Sequence, residues 1–293
     1  MGKLYRGMAA DQAVRFFVTD TTDLVEEARR LHQLSPVAAA ALGRVLTAAS
    51  LMGIMLKNDS DKLTFQVKGN GPLGVLLAVS DATGNVKGYA GHPTVELPPK
   101  ENGKLDVGSA VGSEGEMIVI KDYGLKEPFI GRVNLVSGEI AEDLAAYFMY
   151  SEQQPSIVSL GVFVGADGSV ERAGGLVIQP MPFADDAVID QLEDLAAHMP
   201  TMTELLAGSE NMESLIEIAL AGFDTEITAV TETMYRCDCS REKFERGIMV
   251  LGTAEISQMI EEDGKADVHC HFCNKNYHFG HADLVKILEM VEN

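Results

Sequence analysis

The start of the chain has a short apolar run, followed by apolar residues at helical spacing. Residues 15–19, RFFVT, are a candidate for a short strand. Apolar residues at helical spacing then predict a first helix over 22–34. Ser35 and Pro36 suit the N-cap and first position of a second, longer helix that continues to about Lys57.

From residue 62 the pattern changes to short alternating or apolar runs separated by glycine-rich turns, which predicts antiparallel strands. The predicted strands are 62–68, 74–80, 85–90, 116–121, 129–135, 156–164 and 169–178, with a helix over about 139–150. Together with the two N-terminal helices, they predict an α+β fold class, with an antiparallel β-sheet core and helices in the N-terminal domain.

A Pro-containing segment, 179–182, ends this pattern, and helical spacing resumes beyond it. Short helices are predicted over 188–196, 203–206 and 212–220. The segment 181–236 contains five methionines: Met181, Met199, Met202, Met212 and Met234. Taken alone, it is best interpreted as an acidic helical linker packed on the first domain; the alternative is a loosely held, adaptable Met-rich surface.

The distribution of charge along the chain agrees with a boundary near residue 180. The 293 residues carry a net charge of -21, from 44 acidic and 23 basic residues. The net charge is -5 over 1–180, -11 over 181–236 and -5 over 237–293, which supports a core domain, a linker and a small C-terminal domain with these bounds. An acidic surface repels phosphate backbones and anionic lipid, so neither nucleic acid nor a membrane is expected as a partner.

Residues 36–56 are long enough to cross a membrane. They are mostly alanine, and Arg44 near the middle costs roughly 2.5–3.5 kcal/mol on insertion scales, so we predict a buried helix of a soluble core. The N-terminal residues show no apolar run of a secretory signal, which predicts a cytoplasmic protein.

The glycines at 69–74 match the G-x-G-x-x-G pattern of dinucleotide-binding folds. That pattern requires a helix after the glycines, whereas residues 74–79 have the composition of a strand. A hairpin turn is the better interpretation. The sequence also shows no P-loop, G-x-S-x-G or H-E-x-x-H motif.

All four cysteines lie in the C-terminal segment 237–293, as a C-x-C pair and a C-x-x-C pair on either side of the segment 240–269. They are Cys237, Cys239, Cys270 and Cys273. In a reducing compartment such clustering indicates a metal or redox site. Four thiolates favour zinc or iron, and zinc is the usual choice in structural sites. We therefore predict these four residues as metal ligands.

Four histidines lie near the cysteines, at 269, 271, 278 and 281, and each has a side chain able to replace a thiolate. Four sulfurs already complete a structural site, so we interpret the histidines as surface or supporting residues. A complete site leaves no open coordination position, which argues against a metalloenzyme. Arg236, Arg241 and Lys275 are expected to help keep the thiols deprotonated.

These motifs resemble the bacterial heat-shock protein 33 family, whose members are redox-regulated chaperones. The resemblance rests on the C-x-C and C-x-x-C pairs and their flanks, YRCDCSR at 235–241, EDG at 262–264 and VHC at 268–270. It extends to YF at 147–148, SEQQPS at 151–156, and the GG and QP pairs at 174–175 and 179–180. The resemblance covers essentially the whole chain.

The resemblance implies a chaperone of the holdase type and not an enzyme. In that family the reduced form binds Zn²⁺ through the residues matching Cys237, Cys239, Cys270 and Cys273 and is inactive. Oxidative and heat stress form the disulfides Cys237–Cys239 and Cys270–Cys273, release zinc and loosen the linker. The active form, a homodimer, binds unfolding proteins and later passes them to ATP-driven foldases.

Two other functions remain open from the residues alone. A thiol–disulfide oxidoreductase would use Cys270 and Cys273, but no thioredoxin-like βαβ pattern follows and the C-x-C pair has no role in it. A zinc-ribbon module binding nucleic acid needs a basic surface, whereas 237–293 carries a net charge of -5.

Overall fold

The computed structural model describes residues 2–292, which form two compact units divided between Arg236 and Cys237. Among these described residues, the first unit contains ten strands and seven helices. Its strands are β1 (Gly2–Ala9), β2 (Val14–Asp20), β3 (Lys62–Gly69), β4 (Val75–Asp81), β5 (Val86–Ala90), β6 (Gly115–Asp122), β7 (Phe129–Asn134), β8 (Ile157–Val164), β9 (Val170–Pro180) and β10 (Thr225–Thr233). Its helices are α1 (Thr22–His32), α2 (Pro36–Gly53), α3 (Val107–Val111), α4 (Ala141–Tyr150), α5 (Asp186–His198), α6 (Met202–Gly208) and α7 (Met212–Ala219).

The ten strands form two antiparallel five-stranded sheets. One has the order β10-β1-β2-β9-β8, and the other has the order β5-β4-β3-β6-β7. The predicted α+β class with an antiparallel sheet core is confirmed by this arrangement. The glycine-rich segment 69–74 joins β3 to β4 in a hairpin, as predicted, with Gly74 at φ 67°.

Helix α2 lies between the two sheets and forms the centre of the core. It contacts β3, β4 and β5 of one sheet and β8 and β9 of the other. An 18-residue window of this helix is apolar enough to cross a membrane, but 89% of it is buried inside the protein. The prediction of a buried core helix is therefore confirmed. Ser35 caps it through the Ala38 N–H, but it ends at Gly53 rather than near Lys57.

The segment 181–236 folds onto the outer face of the first sheet. Leu192, Met202, Leu205, Leu215 and Ile216 of α5–α7 pack against apolar residues of β1, β2 and β9. After α7 the chain forms β10, which pairs with β1 from Thr225 to Thr233. Strands β1 and β10 were not predicted, because each is completed by pairing with a segment from the opposite end of the unit, which local periodicity does not reveal.

The second unit is small. It contains α8 (Arg241–Met249), α9 (Thr253–Glu262), a hairpin of β11 (Lys265–His269) and β12 (Asn276–Gly280), and α10 (His281–Glu292). Six buried hydrophobic residues form its core: Ile248, Ile256, Ala266, Phe279, Leu284 and Ile287.

Candidate metal centre

The first cysteine pair lies immediately before α8. Ser240, which follows Cys239, is the N-cap of this helix, and its hydroxyl accepts a hydrogen bond from the Lys243 N–H at 3.3 Å. An N-cap fixes the direction in which the chain enters a helix. The cap therefore holds the C-x-C pair at a defined place beside the hairpin.

The second pair forms the turn between β11 and β12. The Cys270 carbonyl accepts hydrogen bonds from the Cys273 N–H at 3.3 Å and the Asn274 N–H at 2.8 Å, while the Cys270 N–H donates to the Lys275 carbonyl at 2.9 Å. Asn274 adopts a positive φ of 57°, which asparagine tolerates better than most residues. The turn places both sulfurs on the same side of the hairpin end.

The four sulfur atoms lie within 4.8 Å of one another. The Sγ atoms of Cys237 and Cys270 are 3.7 Å apart, and those of Cys239 and Cys273 are 3.3 Å apart. Ligands held tetrahedrally at about 2.3 Å from zinc are separated by about 3.8 Å. The donor set and its spacing therefore fit one tetrahedral, sulfur-binding metal ion.

The environments of the thiols differ. Burial raises the pKa of the Cys237 and Cys273 thiols. Burial also opposes ionisation of Cys239, but hydrogen bonding from the Tyr277 hydroxyl and the neighbouring thiols outweighs it and lowers the pKa of Cys239 to about 7. The same bond raises the pKa of Tyr277 to about 12. The Tyr277 hydroxyl therefore favours the thiolate form of Cys239.

Tyr277 was not identified from the sequence. Its hydroxyl lies 3.1 Å from the Cys239 sulfur and 3.3 Å from the Cys239 carbonyl, and its ring packs against Phe244 of α8 with a centroid distance of 4.8 Å. It thereby connects the hairpin to the helix that follows the first cysteine pair. Its position shortly after Cys273, in a strand with few other large apolar residues, could have indicated a role beside the cysteines.

Arg241 does not have the predicted role beside the thiols. Its guanidinium forms an ion pair with Asp283 at 2.8 Å and donates to the His278 carbonyl at 2.6 Å. It also lies over the Phe279 ring, 4.3 Å from the centroid. Arg241 therefore joins α8 to β12 and α10 and stabilises the unit by contacts other than with sulfur.

No histidine nitrogen belongs to the metal-binding group found among residues 2–292. His269 makes hydrogen bonds to the side chains of Asn276 at 2.7 Å and Asn274 at 3.2 Å, and His278 bonds to Asp267 at 2.7 Å. These contacts lie along the exposed hairpin, in agreement with the interpretation of these two residues as supporting ones.

The C-x-x-C pair is not in a thioredoxin-like setting. It lies in the turn of a two-stranded antiparallel hairpin, and the described residues 237–292 contain no parallel strand pair. A βαβ unit is what positions a thioredoxin-type redox pair at a helix N-terminus. The fold therefore disfavours the oxidoreductase alternative.

The segment just before the first cysteine pair is fixed to the first unit through Tyr235. Its hydroxyl donates to the Gly88 carbonyl at 2.8 Å and contacts the buried His32 ring at 3.1 Å. The Arg236 N–H donates to the Val86 carbonyl at 2.8 Å. These bonds secure the chain after β10 to β5 and α1, up to the residue before Cys237.

The comparisons with known proteins agree with one another. A family model described as Hsp33 protein matches residues 2–280. A 33 kDa chaperonin of Alkaliphilus metalliredigens is 48% identical over 287 residues, covering 98% of each chain. One of Clostridioides difficile is 48% identical over 284 residues, covering 97% of each chain.

A solved structure shows the same fold. The crystal structure of the 33 kDa chaperonin, or heat shock protein 33 homolog, of Thermotoga maritima matches with a TM-score of 0.88 at 38% identity, covering 99% of each chain. Its whole-length similarity agrees with the family match and with the four-cysteine cluster. On this combined basis the chain belongs to the Hsp33 family of chaperones.

Proposed function

We propose that the protein is a redox-regulated holdase, which binds unfolding proteins when its cysteines are oxidised and is inactive when they are reduced and hold zinc. The observation that carries this proposal is the cluster of four sulfurs within 4.8 Å in a chain of the Hsp33 family. Every thiol of the chain belongs to that cluster, so thiol oxidation has a single target.

In the reduced form, Cys237, Cys239, Cys270 and Cys273 would hold the zinc ion as thiolates. Bound zinc supplies folding free energy, with apparent values of about 10–16 kcal/mol for small structural units. The core of this unit has six buried hydrophobic residues with eight partly buried ones packed against them, so packing contributes far less than in the first unit. Its folded state would therefore depend on the thiolates remaining reduced.

Oxidation would join Cys237 to Cys239 and Cys270 to Cys273. In each pair two thiolates lose two electrons to one hydrogen peroxide molecule, which takes up two protons and leaves as two water molecules. All four sulfurs lie within 4.8 Å of one another, so each disulfide requires only a local rearrangement to reach a bond of about 2.05 Å. Sulfurs joined in disulfides no longer serve as thiolate ligands, so zinc would be released.

If the second unit unfolded, a disordered chain would follow the acidic segment 181–236. This would favour detachment of that segment from the first sheet. Leu205, Leu215 and Ile216 of this segment are at most 2% exposed against the first sheet. Their release would present apolar surface on both the sheet and the helices. The net charge of -11 over this segment would keep the opened protein in solution.

We further propose that unfolding proteins are the partners of this surface, that the active form is a homodimer, and that clients pass to ATP-driven foldases. This activity would serve a cytoplasmic response to oxidative and heat stress. It requires no substrate turnover.

The decisive experiment follows light scattering of thermally unfolding citrate synthase together with zinc release. We expect suppression of aggregation only by the peroxide-treated protein, with about one zinc released per chain. Equal suppression by the reduced, zinc-loaded protein would contradict redox control. Catalytic reduction of insulin would instead support an oxidoreductase.

A further inference from the structure

Strand β8 forms one edge of the first five-stranded sheet, and within residues 2–292 it has only β9 as a strand neighbour. In an antiparallel pair, every second residue directs its N–H and C=O away from the partner strand. The outer side of β8 therefore presents a row of backbone donors and acceptors available to another extended chain.

The edge strands of the two large sheets differ in how they are protected. Natural edges usually carry charged residues or proline, which discourage pairing with a further strand. Strand β5 has Lys87, β7 has Arg132, and β10 has Glu226 and Glu232. The sequence of β8, IVSLGVFV, includes neither a charge nor a proline.

The outer side of β8 forms the floor of a groove of about 720 Å³. Consecutive residues, 158–164, line it, as expected for a groove that follows the edge of a strand rather than one face. One wall is formed by Thr201–Thr203 at the start of α6. The opposite wall is formed by residues of the 100–105 loop and by Glu139, Ala141 and Glu142 at the start of α4.

The walls favour one extended segment over a second copy of this sheet. A second copy would bring its own α6 and 100–105 loop up against those of the first, whereas a single extended segment has no such walls. The groove includes Arg44, Lys100 and Lys104 against Glu139 and Glu142, a local charge of +1 in a chain of -21. It therefore does not repel a neutral or weakly acidic apolar segment.

We infer that the β8 groove binds an extended apolar segment of an unfolding protein by adding it to the sheet as a sixth strand. This inference rests on the proposed holdase function and assigns a binding site to it. Backbone pairing suits a chaperone with many clients, because every unfolded chain has the same N–H and C=O groups and pairing depends little on sequence.

Helix α6 controls how much of the groove is open. A Cβ placed on Gly161 of β8 would lie 2.9 Å from the Met202 Cβ and 3.0 Å from the Thr203 N, so the start of α6 contacts the strand backbone directly. Helix α6 belongs to the acidic segment that loosens on oxidation in the proposed function. Oxidation would move this wall away and let a segment pair along the full strand.

One test uses lysine substitutions along the groove. Ser159→Lys and Phe163→Lys each add a charge to β8, and Ile130→Lys is the matched control, since Ile130 lies on edge strand β7 and is 48% exposed against 49% for Phe163. We expect both groove variants, after oxidation, to bind unfolded citrate synthase about tenfold more weakly than wild type, and the control to bind as wild type does. Zinc content and thermal unfolding of the reduced proteins establish that each variant folds. If Ser159→Lys does not fold, Phe163→Lys alone tests the site.

A second test separates backbone pairing from simple apolar contact. The probe is a Val/Thr peptide as long as β8, compared with the same peptide N-methylated at every residue so that neither of its edges can donate, and binding is followed by fluorescence anisotropy. We expect the oxidised protein to bind the plain peptide at least about tenfold more tightly, because methylation removes the donors that pair with the strand. Equal affinity for the two peptides would overturn the inference.

Different results would contradict the β8 site and the holdase function. If oxidised wild type does not suppress aggregation, the proposed function fails. If wild type suppresses aggregation and both lysine variants suppress it equally well, the function stands and the β8 site is wrong. A lysine variant that changes only the oligomeric state, by analytical ultracentrifugation, would assign the groove to a second copy and overturn the inference as well.

Discussion

The two units achieve their folded states by different means. The main core of the first unit contains 42 buried hydrophobic residues arranged around α2 and two sheets, whereas that of the second contains six. A core of the first kind is stable through packing alone, but a unit as small as the second is marginal. All four cysteines lie in the unit with the smaller core, where a metal ion held by them would contribute most to folding.

The largest effect is expected from breaking the cluster itself. In Cys270→Ser one thiolate is lost, and with it most of the roughly 10–16 kcal/mol that a structural zinc ion supplies to such a unit. We expect residues 237–292 to lose hydrogen-exchange protection while the sheets around α2 keep theirs. Val250→Ser, at a residue 86% exposed in the same unit, is the control that should retain protection. Full protection of 237–292 in Cys270→Ser would show that the unit folds without its metal ligands.

A smaller but still large effect is expected from the packed core. Phe65 of β3 is 0% exposed, and Phe65→Ala should lower the free energy of unfolding by about 3–5 kcal/mol. Zinc content should not change, because the altered side chain lies in the other unit. Urea unfolding and zinc titration measure the two quantities, and Phe129→Ala, at a residue 46% exposed, should change neither by much. Loss of zinc in Phe65→Ala would contradict the independence of the two units.

The packing of 181–236 on the first sheet should set the threshold for activation. Leu205→Ala removes a side chain that is 2% exposed, at a cost of about 2–5 kcal/mol to this packing. We expect the reduced variant to suppress citrate synthase aggregation in part, without peroxide. Ile218→Ala on α7, at a residue 44% exposed, is the matched control. A reduced Leu205→Ala protein with no activity would show that loosening this segment is not sufficient.

The smallest effect concerns an ion network beside α2. Burial disfavours the charged form of Glu139, but hydrogen bonds from Lys100 and Arg44 outweigh it and hold the pKa of Glu139 below its usual value of 4.5. A lowered folded-state pKa contributes stability that is present above the unfolded-state pKa and is lost as the pH falls through the folded-state pKa. Glu139→Gln should therefore cost about 1–3 kcal/mol at pH 7 and progressively less below pH 4.5.

Urea unfolding of wild type and Glu139→Gln between pH 7 and pH 3 measures this difference. Glu142→Gln, at an exposed residue in the first turn of the adjacent helix α4, is the control. A cost of Glu139→Gln that stays constant across this range would show that the network is not held by the charge of this carboxylate.

Much of the fold could be predicted because its signals are local. Short alternating or apolar runs separated by turns identified β3–β9, and a serine and a proline at 35 and 36 identified the start of α2. The pairing of β10 with β1 depends on contacts between residues far apart in sequence, for which local periodicity gives no indication. Helix α2 shows both cases: its apolar composition predicted burial, but only the two sheets explain why it is buried on nearly every side.

The candidate site divides in the same way. The sequence by itself identified the four cysteines as one candidate ligand set, because clustered thiols at C-x-C and C-x-x-C spacing are typical of metal or redox sites. Only the tertiary structure shows that sulfurs from the two pairs lie 3.7 and 3.3 Å apart. It also shows that the Tyr277 hydroxyl contacts the Cys239 sulfur, and that Arg241 forms its ion pair with Asp283. The physical reason is that ligand chemistry is a property of residue type, whereas distance and direction are set by the hairpin, the helix cap and the packing that hold those residues in place.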